Sequence, residues 1–187
     1  MTQVTQTSHL RARIRSITMN NQHAIVSTRI GDLTLVASHD ALVGVYFPHH
    51  WVKPTPETLG ERVEATGPLL SEAVRELDEY LTGERTTFDL PTVLRGDEFQ
   101  RRVWSILEQI PYGGTASYGE IAEQLGDRAL AQRVGKAVGQ NPLSIIVPCH
   151  RVIGRNGSLT GYAGGLKRKQ FLLELEEPSE VKAARLF

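Results

Sequence analysis

Cysteine occurs once, at Cys149, so no internal disulfide can form, and no set of Cys and His stands at zinc-ligand spacing. No apolar run approaches a membrane span, and the polar stretch 1–8 lacks the apolar core of a secretory signal. A reducing cytoplasm, with no membrane partner, is therefore the expected setting, and it is the one in which a functional free thiol survives. Net charge is missing too: 21 basic residues balance 21 acidic ones, which argues neither for nor against nucleic acid as a partner. The chain has no internal repeat and no low-complexity segment, which excludes repeat architectures.

What the total hides, the distribution shows. Between residues 128 and 169 stand Arg128, Arg133, Lys136, Arg151, Arg155, Lys167, Arg168 and Lys169, with no Asp or Glu among them. Such a one-sign stretch predicts a phosphate-facing patch, the plain alternative being ordinary solvated surface.

At 187 residues the chain is long enough to bury a real core. Residues 1–22 are polar and read as a loose tail. Segments 24–30, 33–38 and 42–47 read as three strands of a small antiparallel meander, followed by a loop over 48–67. His49, His50 and Trp51 in that loop lack further ligands at useful spacing and read as loop surface. Leu70, Val74, Leu77 and Leu81 recur at helical spacing, with Gly83 where the helix would end, and segment 86–95, with Pro91 inside, reads as a linker. An α/β domain over 23–90, a small antiparallel sheet plus a helix, is the result.

A second, mainly helical domain is expected over 91–178, with a short tail at 179–187. It opens on Asp97 as N-cap, with Phe99, Val103, Leu107 and Ile110 on one helical face until Pro111. Ser117 and Glu120 form a capping box for a helix through Leu125; Gly126-Asp127 turns the chain, and a helix over 128–139 follows. Two short helices joined by a tight glycine turn are a helix-turn-helix, here winged-helix-like. Ala131, Gly135 and Gly139 place small side chains at steps of four, permitting another surface to come close. Asn156-Gly157 marks a turn, Gly161 to Gly165 a glycine-rich loop around Tyr162, and 167–177 a last helix with Leu172 and Leu175 facing in.

The chemistry centres on 141–151. Segment 143–147 is apolar, β-branched and bounded by prolines, and reads as a buried strand or extended segment carrying Cys149 out of the interior. Pro148 cannot donate to a sheet, so pairing should stop there. His150 and Arg151 supply electropositive surroundings that favour thiolate, whereas a lone cysteine in the core is the bland alternative.

Pro148-Cys149-His150-Arg151-Val152-Ile153-Gly154, preceded by Asn141-Pro142 and followed by Gly161-Tyr162-Ala163-Gly164-Gly165, resembles the active-site signature of the O6-alkylguanine-DNA alkyltransferases, and the likeness extends from Phe99 to Glu176. The resemblance implies DNA repair by direct reversal, in which one molecule transfers one alkyl group from O6-alkylguanine in duplex DNA to the thiolate of Cys149 without a cofactor or a metal. It implies that His150 deprotonates Cys149 through a water while Glu176 orients the imidazole, and that Asn141 fixes the active-site segment. Tyr118 would bond the flipped base and disturb its 3′ phosphate, Tyr162 would line the alkyl pocket, and main-chain groups near Val152 and Ala163 would read the guanine edge. Ala131, Gln132, Arg133 and Gly135 would enter the minor groove on the recognition helix, with Arg151 among the DNA contacts. Cooperative self-assembly along DNA is left open. Two positions depart from the family pattern: Gln132 stands where Arg commonly fills the gap left by the flipped base, and Ala163 where some members have Ser. The rival reading is a non-enzymatic helix-turn-helix module that binds DNA damage, with Cys149 structural.

Overall fold

The computed structural model describes residues 21–178. Most of the two expected tails lies outside that range, but Asn21 and Gln22 belong to the first strand rather than to a tail. β1 (Asn21–Thr28), β2 (Gly31–Ser38) and β3 (Ala41–Tyr46) form the antiparallel meander, with Gly31 at φ 101° making the first reversal. Leu33, Leu35 and Val45 are buried in the main core, and Val36, Val43 and Tyr46 form a small separate cluster.

The expected loop at 48–67 holds more order than its composition suggests. Thr55 caps a one-turn helix, α1 (Pro56–Leu59), and β4 (Glu61–Arg62) then pairs parallel with β1 to give the order β3-β2-β1-β4. His50 is buried, its ring edge-on to Tyr46 at 5.2 Å and stacked with Phe47 at 6.4 Å, so it is core and not loop surface.

α2 (Pro68–Thr82) ends at left-handed Gly83 and buries Leu70, Ala73, Leu77, Tyr80 and Leu81; Val74 lies at the margin of that stripe and is only half-buried. Each fully buried large apolar side chain on it contributes about 1.5–3 kcal/mol. The expected linker is docked along β3: Leu42 donates to the Pro91 carbonyl at 2.8 Å and Val93 to the Leu42 carbonyl at 3.0 Å. Pro91 joins through its carbonyl alone, so its missing N–H costs nothing there.

α3 (Glu98–Glu108) and α4 (Tyr118–Gln124) each begin with a complete capping box, Asp97 with Gln100 and Ser117 with Glu120. The expected helix over 128–139 starts instead with a 3-10 turn (Arg128–Leu130) capped by Asp127, followed by α5 (Ala131–Gly139). The Trp104 indole donates to the Ala137 carbonyl at 2.8 Å and ties α3 to α5. β5 (Ala116–Ser117) pairs parallel with β6 (Val152–Ile153), and α6 (Leu166–Glu176) closes the fold. The architecture is a small sheet-and-helix domain followed by a helical domain, and one buried cluster runs through both, from Leu33 and Leu77 through Trp104 and Val134 to Cys149 and Leu172.

Segment 143–147 is buried as expected but is not a strand. It is a turn hung on β3, with Val45 donating to the Pro142 carbonyl at 2.8 Å and Ser144 to the Val45 carbonyl at 3.3 Å. Ile145 takes φ 75°, a left-handed conformation rare for a β-branched residue and maintained only where the surroundings fix it.

Candidate active site

Asn141 fixes that turn. Its amide donates to the Val147 carbonyl at 2.9 Å and its side-chain oxygen accepts from the Leu143 N–H at 3.0 Å, all of it buried. Cys149 then opens a 3-10 turn (Cys149–Arg151) and is 3 % exposed, so the segment delivers it into the core and not out of the interior. Burial pushes the Cys149 thiol up; hydrogen bonds from the Asn141 side chain and from the main chain of Cys149 and Ile145, and the nearby charge of Lys169, pull it back only in part.

His150 Nε2 lies 2.5 Å from Glu176 Oε1, and both side chains are buried. Burial lowers the His150 pKa, chiefly against the opposing pull of Glu176, so the ring is neutral at pH 7. With its Nε2–H given to the carboxylate, Nδ1 keeps the basic lone pair, and Nδ1 has no hydrogen-bond partner among the described residues. Although burial works to raise it, Glu176 is brought down to about 2 by its hydrogen bonds with His150, Arg151 and Tyr80 and, where His150 is protonated, by the charge of that ring.

Arg151 donates from Nε to Glu176 Oε2 at 2.8 Å and from Nη1 to the Ile110 carbonyl at 2.6 Å. Tyr80, from α2, donates to Glu176 Oε1. Neither partner of Glu176 was legible locally: Tyr80 reads as one more core position on its helix, and Arg151 as surface charge. Lys169 was missed in the same way, since it is fully buried and donates to the Val152 carbonyl at 2.5 Å and the Thr160 carbonyl at 2.6 Å. Its place on one helical face with Leu172 and Glu176 is the signal that could have found it.

Tyr162, Val152 and Ala163 are all buried around this cluster, the Tyr162 ring 5.6 Å from that of Phe47 and 6.4 Å from that of His150. The Tyr162 hydroxyl has no hydrogen-bond partner among the described residues. Tyr118 is half-buried; its hydroxyl reaches the Thr160 carbonyl at 3.4 Å, and burial raises its pKa.

On α5, Gln132, Arg133 and Lys136 are exposed, while Ala131 and Gly135 are half-buried. The stripe of small residues receives rings of this same chain: a Cβ at Gly135 would lie 3.7 Å from Tyr118, and one at Gly139 3.0 Å from Trp51. The Arg133 guanidinium lies over the Phe99 ring, 3.8 Å from its centre. The expected basic patch is smaller than its sequence. Arg151 and Lys169 are buried, and Arg168 donates to the Ile30 and Gly164 carbonyls at 2.6 and 2.9 Å, because each serves main-chain or carboxylate oxygens inside the fold. Arg128, Arg133, Lys136, Arg155 and Lys167 remain exposed, Arg128 paired with Glu123 at 2.5 Å.

Among the described residues no group of three or more His, Cys, Asp or Glu could hold a metal ion, and no helix is long and apolar enough to cross a membrane. A buried cysteine beside a neutral histidine oriented by a carboxylate can act as an activated nucleophile toward an electrophile small enough to reach it.

The chain is similar to proteins already known. A family model described as 6-O-methylguanine DNA methyltransferase, ribonuclease-like domain, matches residues 22–94, and one described as the DNA binding domain of the same protein matches 98–178. The methylated-DNA--protein-cysteine methyltransferase of Mycolicibacterium paratuberculosis is 46% identical over 166 residues, 89% of this chain and 98% of that one. The constitutive methylated-DNA--protein-cysteine methyltransferase of Bacillus subtilis is 41% identical over 161 residues, 85% and 97% of the two chains. The crystal structure of Mycobacterium tuberculosis OGT in complex with DNA superposes with a TM-score of 0.78 at 46% identity, covering 83% of this chain and 92% of that one.

Proposed function

The chain belongs to the 6-O-methylguanine DNA methyltransferase family and repairs DNA by alkyl transfer to a cysteine, and we propose that Cys149 is that cysteine and O6-alkylguanine in duplex DNA its substrate. The observation that carries the reading is the buried His150–Glu176 pair, 2.5 Å apart, set on the same turn that Cys149 opens.

His150 Nδ1 takes the thiol proton by way of a water, and Glu176 holds the imidazolium that forms. The sulfur attacks the alkyl carbon in line; the S–C bond forms as the C–O6 bond breaks, leaving a thioether on Cys149 and a guanine anion that becomes unmodified guanine by taking up, through water, the proton His150 had received. Because burial holds the thiol up, the thiolate forms only where His150 stands ready to receive its proton. Tyr118 bonds the base and supports both its flipping and the departing oxygen. Tyr162 bounds the alkyl pocket, and main-chain groups at Val152 and Ala163 read the guanine edge. Ala131, Gln132 and Gly135 face the minor groove, while exposed Lys136 and Arg133 meet phosphate. Such a single-use thiol suits a reducing cytoplasm.

Intact-protein mass after incubation with a duplex carrying one O6-methylguanine, beside a Cys149→Ala control, tests the reading. A stoichiometric gain of one methylene unit, absent from the control, is expected. Unchanged mass with DNA still bound would leave the protein a damage binder.

A further inference from the structure

The two domains meet at the catalytic carboxylate. Tyr80 belongs to α2 of the first domain; Cys149, His150 and Glu176 belong to the second. The Tyr80 ring is fully buried, 4.9 Å from the Phe88 ring and 6.0 Å from the Tyr112 ring, and its hydroxyl donates to Glu176 Oε1 while standing 3.4 Å from His150 Nε2. We propose that Tyr80 is a positioning residue for alkyl transfer, which limits the hold of Glu176 on His150 and so sets how readily the imidazole accepts a proton. The proposal rests on the roles given above to Cys149 and His150.

The argument is one of acceptor capacity. A carboxylate oxygen offers about two lone-pair directions. Glu176 Oε1 faces three donors: the Tyr80 hydroxyl, His150 Nε2 at 2.5 Å and Arg151 Nη2 at 3.2 Å. Oε2 faces Arg151 Nε at 2.8 Å and the Gly113 N–H at 3.0 Å. Tyr80 and His150 therefore compete for one oxygen. Burial raises the Tyr80 pKa, which keeps the phenol protonated and donating. The other groups facing His150 or Glu176 are Lys169 on α6 and the phenols of Tyr112 and Tyr162. None of these supplies a side-chain hydrogen bond to Oε1.

Removing only the hydroxyl leaves His150 a larger share of the carboxylate. The imidazolium is then better stabilised, its pKa rises, and the neutral form that accepts the thiol proton is lost at a higher pH. The test is Tyr80→Phe, which keeps the ring, with single-turnover transfer rates from an O6-methylguanine duplex measured across pH. The acid limb should move up by about 0.5–1 unit, cutting the rate below it several-fold, with a smaller change on the plateau. Tyr112→Phe, which loses a hydroxyl bound to the Leu175 carbonyl, should leave the limb in place. Because acid also weakens the fold, the folded fraction of each variant is followed by circular dichroism at every pH, and the limb is read from rates divided by that fraction. A limb at the wild-type position, or one displaced to lower pH, overturns the proposal and leaves Tyr80 a packing residue. Wild-type protein that shows no transfer to Cys149 would instead sink the functional reading on which the proposal stands.

Discussion

His150 Nε2 and Glu176 Oε1 meet 2.5 Å apart, the side chains 0% and 1% exposed. The pair joins residues 26 positions apart and brings the turn after Cys149 onto α6. Glu176→Gln keeps the shape and removes the charge. Methyl transfer should slow on the order of 10²-fold, the scale of a lost acid–base contribution, while DNA affinity stays nearly unchanged. Single-turnover kinetics and a binding titration check it; equal losses in both would contradict the assignment.

Arg151 and Lys136 should separate cleanly. Arg151→Ala leaves Glu176 without its buried guanidinium partner and should destabilise the fold by about 3–5 kcal/mol in denaturant unfolding, with the salt slope of DNA binding intact. Lys136→Ala touches an exposed charge and should lower that slope by about 1 at little cost in stability. A reduced slope for Arg151→Ala would return that residue to the DNA surface.

Acid should weaken the fold in two steps. His150 is held below its ordinary 6.5 by burial, so as pH falls through that value the unfolded chain binds a proton that the folded chain resists, and stability drops. Glu176, lowered from 4.5 to about 2, contributes stability that is complete above the first value and lost as pH falls through the second. Urea unfolding at a series of pH values should show both losses. His150→Gln should remove the upper one, and its persistence would assign it to another group.

Trp51 is 59% exposed and lies over Gly139 and Gly161, where an added Cβ would come within 3.0 Å of its ring. Trp104, the other tryptophan of the chain, is buried. Binding to duplex DNA should therefore quench intrinsic fluorescence through Trp51 alone, and Trp51→Ala should abolish the change and weaken binding about five- to ten-fold, the low end of the scale for one base-stacking ring. Quenching that survives the substitution would put DNA elsewhere.

Gln132 is exposed at the place on α5 where the family pattern has arginine. Arg133 is already turned onto Phe99. Gln132→Arg should tighten binding to duplex DNA or speed repair there, with no effect on single-stranded substrate. An unchanged rate in duplex would show that the gap is filled by another side chain.

What the sequence made legible was local. Asp97 and Ser117 announced their helices because a capping box needs only residues three apart, and Gly83 announced an end because left-handed backbone favours glycine. Segment 143–147 has the composition of a strand, yet Asn141 and β3 bend it into a turn and force Ile145 to positive φ, a tertiary demand that no local pattern carries. Arg151 and Lys169 looked like surface because charge usually is, and the acceptors that bury them, Glu176 and the Val152 and Thr160 carbonyls, come together only in the folded chain. The depth of Cys149 was not legible either, because it depends on the turn that Asn141 and β3 impose before it.

That depth has a consequence for a reagent that acts once. A protein with a renewable active site can tolerate occasional damage to its thiol, but a single-use sulfur must last until a substrate arrives. With Cys149 3 % exposed and its thiol pushed up by burial, dissolved peroxide and small alkylating agents meet a narrow approach and little free thiolate. The same burial that raises the thiol should slow its loss to such reagents between one encounter with a substrate and the next.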